Sequence, residues 1–468
     1  GACYKEIGQL EKAFKNFEKA VDLKPEYAEA RYNLGITLRE LGQVDAAIKC
    51  YEDTLAIKHA YPNVHNNLGN IFLELSQLDN AVDHFEWAVA YQPDYVEAHN
   101  NLGSTLLSIG QLDDAVKSYE KALTLKPDYV EAHNNLGIAF HKLGQLDDAV
   151  KSYEKALALK PDYDKAHSNL GNAFKELGQL DAAVKCYEKA LAINPDYVEA
   201  HNNLGVTLKD LGQLDEAINC FEKVLEVKPD YVEAYNNLAL MLADLGQMDE
   251  AINCYEKVLK IEPNSYYALN NLGIVFGGVN RLTDAVQCFE KAIQIKPDYT
   301  DAYLNHGNSM FNLHLMDEAL ESYERAKKLK PEKDYILGNI LRIKMNLCLW
   351  DDLSNSIDDL KTHIMKGKNT FIPFTCNDVV DDPKLQRMVT EIFANDKFPK
   401  SDVLPKIMPY AKHSKIRIGY FSADFREHPV SHLTANLYET HNRKQFEVYA
   451  FSFGPNTKDE MNLRIKVG

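Results

Sequence analysis

PDYVEAHNNLGIAFHKLGQLDDAVKSYEKALALK, residues 127–160, is one of a series of 34-residue units that fills most of this chain. Closely similar sequences recur at residues 93–126, 161–194 and 195–228. Each unit carries one landmark residue, in order Gly35, Gly69, Gly103, Gly137, Gly171, Gly205, Ala239, Gly273 and Gly307. A unit this short cannot bury its own apolar face, so the copies are predicted to stack into a solenoid.

Two further positions predict that each unit is a pair of helices. A small residue that lets two helices approach closely recurs as Ala13, Ala47, Ala81, Ala115, Ala149, Ala183, Ala217, Ala251, Ala285 and Ala319. Proline, which ends a helix, recurs as Pro25, Pro93, Pro127, Pro161, Pro195, Pro229, Pro263, Pro297 and Pro331, with His59 in the remaining place. After several prolines an Asp-x-x-Glu pair, such as Asp128 with Glu131, predicts a capping box for the next helix. These positions together resemble the tetratricopeptide repeat.

A row of asparagines lies two residues before each landmark, on the predicted first helix of each repeat. Its members, called here the asparagine ladder, are Asn33, Asn67, Asn101, Asn135, Asn169, Asn203, Asn237, Asn271 and Asn305. In solenoids of this kind the first helices line the concave wall, and an amide offers donors and acceptors to the backbone of an extended peptide. The alternative is that the amides cap helices or crosslink adjacent repeats. Asn is a poor residue for a helix interior, so either role needs to explain its recurrence.

Two other rows are interpreted as packing positions. His65, His99, His133, His167 and His201 take the position that the repeat gives to Trp, and they are whole repeats apart, which argues against a metal site. Cysteines recur in one position of the second helix, at Cys50, Cys186, Cys220, Cys254 and Cys288. Neighbouring second helices are expected too far apart for a disulfide, so free thiols are predicted, as in a reducing compartment.

Composition and charge narrow the class of protein. The net charge is −17, and an acidic repeat array argues against nucleic acid as the main partner. Hydrophobic residues make up 45%, without an apolar run long enough to span a bilayer, so no membrane partner is expected. A cytoplasmic protein is predicted, although Gly1 already stands in a landmark position, which suggests that an earlier segment with a targeting signal is missing.

The chain divides into four predicted parts. Residues 1–331 form the repeat array and 332–365 a degenerate capping repeat, in which the spacing places Trp350 in the position of Val44 and Leu353 in the alanine position. Residues 366–414 lose the period and read as a transition segment with one helix around residues 384–393. Residues 415–468 change character: KIRIGYF and FEVYAFSF are predicted strands on either side of a helix at 430–438, which is one strand, helix, strand unit of an α/β domain.

The stretch IRIGYFSADFREHPVSHL, residues 416–433, resembles the opening of the catalytic domain in the O-linked N-acetylglucosamine transferase and SPINDLY-like family. The FEVYAFSFGP stretch and the closing NLRIKV also follow that family's pattern. The resemblance implies a mainly α chain, a tetratricopeptide α-α superhelical solenoid followed by the first βαβ unit of a GT-B, Rossmann-like glycosyltransferase domain. It also implies transfer of a sugar from UDP-GlcNAc or another nucleotide sugar to Ser or Thr of acceptor proteins, without a metal or other cofactor.

By the same resemblance His428 corresponds to the active-site histidine beside the reacting sugar and the acceptor hydroxyl, and an imidazole is suited to moving a proton near neutral pH. His432 and Ser431 are second candidates near that site. Asp424 is interpreted as a helix cap, and Arg426 either meets an anion or is solvated. The donor site is expected beyond residue 468, so this chain alone is expected to be inactive. A non-catalytic scaffold and a SPINDLY-type O-fucosyltransferase remain the alternatives.

Overall fold

The computed structural model describes residues 1–331, 333–351, 353–376, 379–397 and 444, and the backbone of residues 416–422 and 446–452. The chain forms two compact units, Gly1–Val389 and Thr390–Gly468. The described part of the first unit is helical, as the repeat predicts, and the described part of the second contains two strands.

A short helix, α1 (Ala2–Glu6), precedes a series of paired helices. The first helices of the pairs are α3 (Ala28–Glu40), α5 (Pro62–Glu74), α7 (Val96–Ser108), α9 (Val130–Lys142), α11 (Asp164–Glu176), α13 (Val198–Asp210), α15 (Val232–Asp244), α17 (Tyr266–Gly278) and α19 (Thr300–Asn312). The second helices are α2 (Leu10–Leu23), α4 (Val44–Ile57), α6 (Leu78–Tyr91), α8 (Leu112–Leu125), α10 (Leu146–Leu159), α12 (Leu180–Ile193), α14 (Leu214–Val227), α16 (Met248–Ile261), α18 (Leu282–Ile295) and α20 (Met316–Leu329). The predicted tetratricopeptide solenoid is confirmed.

The landmark glycine is the point where the two helices of a repeat come closest. A Cβ atom built on Gly137 would lie 2.5 Å from the ring of Tyr153, and one built on Gly171 would lie 2.6 Å from the ring of Tyr187. Because no real Cβ approaches a ring so closely, these positions need glycine. The ring below each glycine is itself fully buried, as are the ten alanines of the second helices. The core is therefore a continuous row of small residues and aromatic rings between the two layers of helices.

The turn between the two helices of a repeat needs a left-handed residue. Gly42, Gly110 and Gly144 have φ of 77°, 82° and 74°. In three repeats the same place is taken by Ser76, Asn280 and His314, with φ of 59°, 61° and 63°. Glycine adopts this conformation without steric cost, whereas other residues do so at a penalty.

The predicted capping boxes are wrong. The helices after Asp94, Asp128, Asp196 and Asp230 begin at a valine, with a tyrosine as the N-cap residue and no side-chain hydrogen bond to the cap. Each aspartate therefore lies one residue before the N-cap position. The Pro-Asp-Tyr segment forms a turn, in which the Tyr129 N–H donates to the Lys126 carbonyl at 3.2 Å. The first-turn glutamate still opposes the positive end of the helix dipole.

The degenerate repeat forms a helix pair, α21 (Ile336–Asn346) and α22 (Leu353–Met365). The spacing placed Leu353 in the buried alanine position, which is wrong: Leu353 is the first residue of α22, and the buried residues are Leu360 and Ile364. The chain passes through a left-handed Cys348, with φ of 55°, and then needs a longer connection before the helix. Trp350 lies in this connection and is 55% exposed.

Two helices follow, α23 (Pro373–Cys376) and α24 (Pro383–Lys397), and the helix predicted around residues 384–393 is confirmed. In the second unit, strands β1 (Ile416–Ser422) and β2 (Phe446–Ser452) pair in parallel, with Ile416 opposite Phe446. A parallel pair needs a crossover connection, in agreement with the predicted strand, helix, strand unit. The helix predicted at 430–438 lies outside the described residues.

Candidate functional site: the asparagine ladder

The first helices form the inner wall of the repeat array. Helices α5, α7, α9 and α11 each contact the next first helix, and α17 contacts α19, while second helices mainly contact their own partner and the following first helix. The layer in which neighbouring helices lie closer together is the inner side of a curved stack. Every member of the asparagine ladder lies on a first helix and is partly buried.

Most ladder amides donate a hydrogen bond to the preceding repeat. The Nδ2 of Asn169 lies 3.0 Å from Oδ1 of Asn134, that of Asn135 lies 3.5 Å from Oδ1 of Asn100, and that of Asn305 lies 3.0 Å from Oδ1 of Asn270. The acceptor for Asn203 is Oδ1 of Asn172, also on the preceding first helix, at 3.0 Å. The ladder therefore crosslinks adjacent repeats, which is the alternative that its sequence pattern left open.

The pattern varies at the remaining positions. Asn101 donates to Asn66 at 3.3 Å and to Asn70 at 3.1 Å, while Asn67 lies within 3.5 Å of the Tyr32 and Tyr51 hydroxyls. Asn33 donates instead to the carbonyl of Glu29 in its own helix, at 2.9 Å, and Asn271 accepts from its neighbour Asn270 at 3.2 Å. Asn237 is half-buried like the others.

Sequence reasoning missed a second row of polar residues, of which Asn66, Asn100, Asn134 and Asn270 receive these bonds. Asn66, Asn100, Asn134, Ser168, Asn202 and Asn270 each lie one residue before a ladder member, and all are buried. The signal was the doublet Asn-Asn-Leu-Gly, in which only the second asparagine was singled out. Burying one amide and leaving the other at the surface fixes the orientation of the ladder, because a buried amide must find partners.

This arrangement determines what the wall can bind. A ladder amide that donates to the preceding repeat still has a carbonyl oxygen that can accept two bonds, although that of Asn135 accepts one from Asn134 at 3.4 Å. A row of such oxygens suits the N–H groups of an extended peptide, which recur along its backbone whatever its side chains. The bond between repeats also holds each amide in place before a ligand arrives, which lowers the entropy cost of binding.

The histidine row has a structural role, as its spacing predicted. The Nε2 atoms of His99, His133, His167 and His201 lie 2.8–3.0 Å from the carbonyl oxygen of the proline six residues earlier. In the repeat without that proline, His65 uses the carbonyl of His59 at 3.3 Å. The imidazole thus ties the first turn of each first helix to the preceding turn. Among the described residues no group of three or more His, Cys, Asp or Glu side chains could hold a metal ion.

All eight cysteines are free. Burial raises the pKa of Cys220, Cys254 and Cys288 to about 11, so these thiols stay protonated and unreactive near neutral pH. This fits the interpretation of the cysteine row as a packing position.

The candidate catalytic residues His428 and His432, with Ser431, Asp424 and Arg426, lie outside the described residues. Their roles remain predictions. Within the part of the chain that the structure describes, every helix is too short or too polar to cross a membrane.

Comparison with known proteins gives matches both for the repeat array and for the carboxy-terminal segment. A tetratricopeptide repeat model matches residues 1–38, 37–76, 69–110 and 103–144, and the model of the cilia and flagella-associated protein 70 C-terminal domain matches residues 129–335. A model of glycosyl transferase family 41 matches residues 400–468. A curated relative from Arabidopsis thaliana, "Probable UDP-N-acetylglucosamine--peptide N-acetylglucosaminyltransferase SEC", is 29% identical over 136 residues. These matches support the resemblance of the chain to the tetratricopeptide-repeat O-linked N-acetylglucosamine transferase and SPINDLY-like family.

The match to this relative covers 26% of the chain and 14% of the relative's own length. Similar solved structures include MamA, which is 30% identical, covers 35% of this chain and 95% of that one, and has a TM-score of 0.33. Another is YrrB, described as a tetratricopeptide protein with an unusual peptide-binding site, at 24% identity, 40% and 96% coverage and a TM-score of 0.36.

Proposed function

We propose that this chain is the acceptor-binding part of a protein O-glycosyltransferase, in which the asparagine ladder holds an extended acceptor segment for transfer of a sugar to Ser or Thr. The observation that carries the proposal is the presence, in one chain, of a family 41 segment at residues 400–468 and a repeat array with amides along its inner wall. A nucleotide sugar, UDP-GlcNAc in the first instance, is the proposed donor.

The ladder supports this function better than a row of charges would. A glycosyltransferase with many acceptor proteins needs to recognise what they share, and an extended backbone is common to all of them. Neutral amides bind backbone groups without selecting for one charge pattern. The proposal therefore expects wide tolerance of acceptor side chains along the wall.

His428 is proposed to lie beside the reacting sugar and the acceptor hydroxyl, with His432 as a neighbouring group. The chemical reason is that the attacking hydroxyl loses a proton as the new glycosidic bond forms, and a neutral imidazole can accept or relay that proton. No metal is required by this scheme, because the proposed groups supply proton transfer and positioning.

The first test is binding of an extended peptide to the chain with Asn135, Asn169 and Asn203 replaced by alanine. Loss of three acceptor groups at about 1 kcal/mol each predicts affinity at least tenfold weaker for a fluorescein-labelled, Ser/Thr-containing peptide, measured by fluorescence anisotropy. Circular dichroism should show helicity nearly unchanged, with a lower melting temperature because bonds between repeats are lost as well.

A matched control separates the two roles of the ladder. Replacing Asn100 and Asn134 with serine, the residue found at position 168, weakens bonds between repeats but retains every ladder amide and a hydroxyl that can still accept from it. We expect this control to lower stability while keeping peptide affinity within about threefold of the native value. Equal losses of affinity in both variants would mean that the ladder only joins repeats, and unaltered affinity in the alanine variant would favour a scaffold that binds its partners elsewhere.

A further inference from the structure

Shallow grooves open between consecutive second helices, with the first helix between them as the floor. The groove between α8 and α10 has a volume of about 730 Å³ and is lined by His133 and Leu136 of α9. The next groove, between α10 and α12, has a volume of about 650 Å³ and is lined by His167 and Leu170 of α11. Each of these two is bordered by a glutamate and a lysine, Glu120 with Lys155 and Glu154 with Lys189, so neither groove has a strong charge.

The groove between α18 and α20 has the same architecture and a different chemistry. It has a volume of about 840 Å³, and its lining includes four carboxylates and two cations: Glu290, Glu318, Glu321, Glu324, Arg325 and Lys328. Its floor includes His306, the residue immediately before the landmark Gly307. In the other repeats the residue before the landmark is leucine, as in Leu136 and Leu170. We call this site the acidic groove.

His306 is held by one hydrogen bond and lacks a second. Its Nδ1 lies 2.8 Å from Oγ of Ser322, and that hydroxyl donates its only proton to the carbonyl of Glu318 at 2.8 Å. The imidazole is therefore the donor through Nδ1–H, which leaves a lone pair on Nε2. That atom is buried without a hydrogen-bond partner, and the carboxylate of Glu290 lies 3.9 Å from it.

This histidine is unfavourable for packing. A buried acceptor without a donor costs about 1–3 kcal/mol, whereas a leucine in the same position costs nothing of this kind. Burial also lowers the pKa of His306, although Glu290 and Glu321 oppose that effect, so the neutral form with its bare lone pair is favoured. Positions that depart from the rule followed by the rest of a repeat array are where binding sites are expected.

The two acceptors, Nε2 of His306 and the carboxylate of Glu290, favour a cationic donor as the ligand. Nε2 of His306 and the carboxylate of Glu290 are near enough for one group with several N–H bonds to serve both, and Glu290 is 59% exposed, so it can turn to admit that group. A guanidinium is planar, always charged and carries five N–H donors. The surplus of carboxylates around the floor favours the same charge.

We propose that the acidic groove binds a partner protein through an arginine that reaches His306 and Glu290. The side chains of the groove floor, Tyr303, His306 and Met310, follow helical spacing on one face of α19, and Asn305 of the ladder is outside that set. The site is thus separate from the proposed acceptor wall, and its partner is distinct from the peptide held there.

The probe is a fluorescein-labelled helical peptide with two arginines four residues apart, compared with the same peptide carrying citrulline, which keeps the shape and loses the charge. Titrations with the whole chain are done in EDTA. We expect the arginine peptide to bind at least tenfold more tightly than the citrulline peptide. His306→Leu should abolish that preference without loss of melting temperature, because leucine is the residue that neighbouring repeats use. Glu290→Gln should weaken binding about fivefold.

Glu120→Gln is the matched control, since Glu120 borders the equivalent groove with the leucine floor, and it should leave binding unchanged. The proposal is overturned by equal affinity for arginine and citrulline peptides, by native affinity in the His306→Leu variant, or by an effect of Glu120→Gln as large as that of Glu290→Gln. Binding of Zn²⁺ alone, with no arginine-dependent binding in EDTA, would also overturn it and make the groove a cation site.

Discussion

The histidines of the second repeat show how a single residue can make the array sensitive to pH. Nδ1 of His84 lies 3.1 Å from Nδ1 of His65, which already donates through Nε2 to the carbonyl of His59. His84 must therefore be the donor to His65. A second proton on His65 would place two N–H groups against each other, and burial together with the charge of His65 lowers the pKa of His84 to about 4.

We predict that His84→Ser makes the protein less sensitive to acid. A histidine with a lowered folded-state pKa stabilises the fold above its unfolded value of 6.5, and that contribution is lost as the pH falls toward about 4. Allowing for partial exposure, the loss is on the order of 2 kcal/mol. The measurement is the urea midpoint of native and variant chains between about pH 7 and 4.5. Equal slopes against pH would show that His84 does not titrate as described.

At the same scale, the sequence predicted which positions are fixed but not always why. The recurrence of Gly137 and Ala149 was enough to identify the repeat. The ring of Tyr153 against Gly137 and the bond from His133 to the Pro127 carbonyl became visible only in the structure, because both join residues through the fold. Asp128 does not cap the helix for a local reason: the turn before α9 extends one residue further than the motif assumed, so Tyr129 is the N-cap residue.

At the scale of the element, the turn between paired helices gives a direct test of backbone strain. Ser76 has φ of 59° where Gly42 and Gly110 have 77° and 82°. Ser76→Gly should therefore stabilise the array by about 0.5–1 kcal/mol, because glycine removes the left-handed penalty that serine carries. The measurement is the urea midpoint, with Gly42→Ser as the reverse change, expected to destabilise by a similar amount. A lower midpoint for Ser76→Gly would mean that its side chain has contacts worth more than the strain.

The ends of elements were less predictable than their order. The helix pairs of residues 10–329 follow the 34-residue period, but α22 begins at Leu353, later than that period implies. Spacing alone cannot show where a longer connection is inserted. The parallel pairing of β1 and β2 agreed with the predicted unit because two apolar runs separated by a predicted helix leave few other arrangements.

At the scale of the whole molecule, the asparagine ladder links adjacent repeats and is also the proposed binding surface. The bond from Asn169 to Asn134 joins adjacent repeats, while the ladder residues stay partly exposed. The sequence allowed both roles and could not apportion them, since a period shows that a residue recurs and not which of its atoms is already engaged. The family 41 match at residues 400–468 is the observation that links the ladder to the proposed sugar transfer.

The most direct test of this account is to map where an extended acceptor peptide lies. A Ser/Thr peptide carrying a diazirine photocrosslinker at successive positions is bound to the chain, irradiated, and the attachment points are read by mass spectrometry. The account predicts crosslinks in α9, α11 and α13, close to Asn135, Asn169 and Asn203. Crosslinks confined to the second helices α10, α12 and α14 would contradict it.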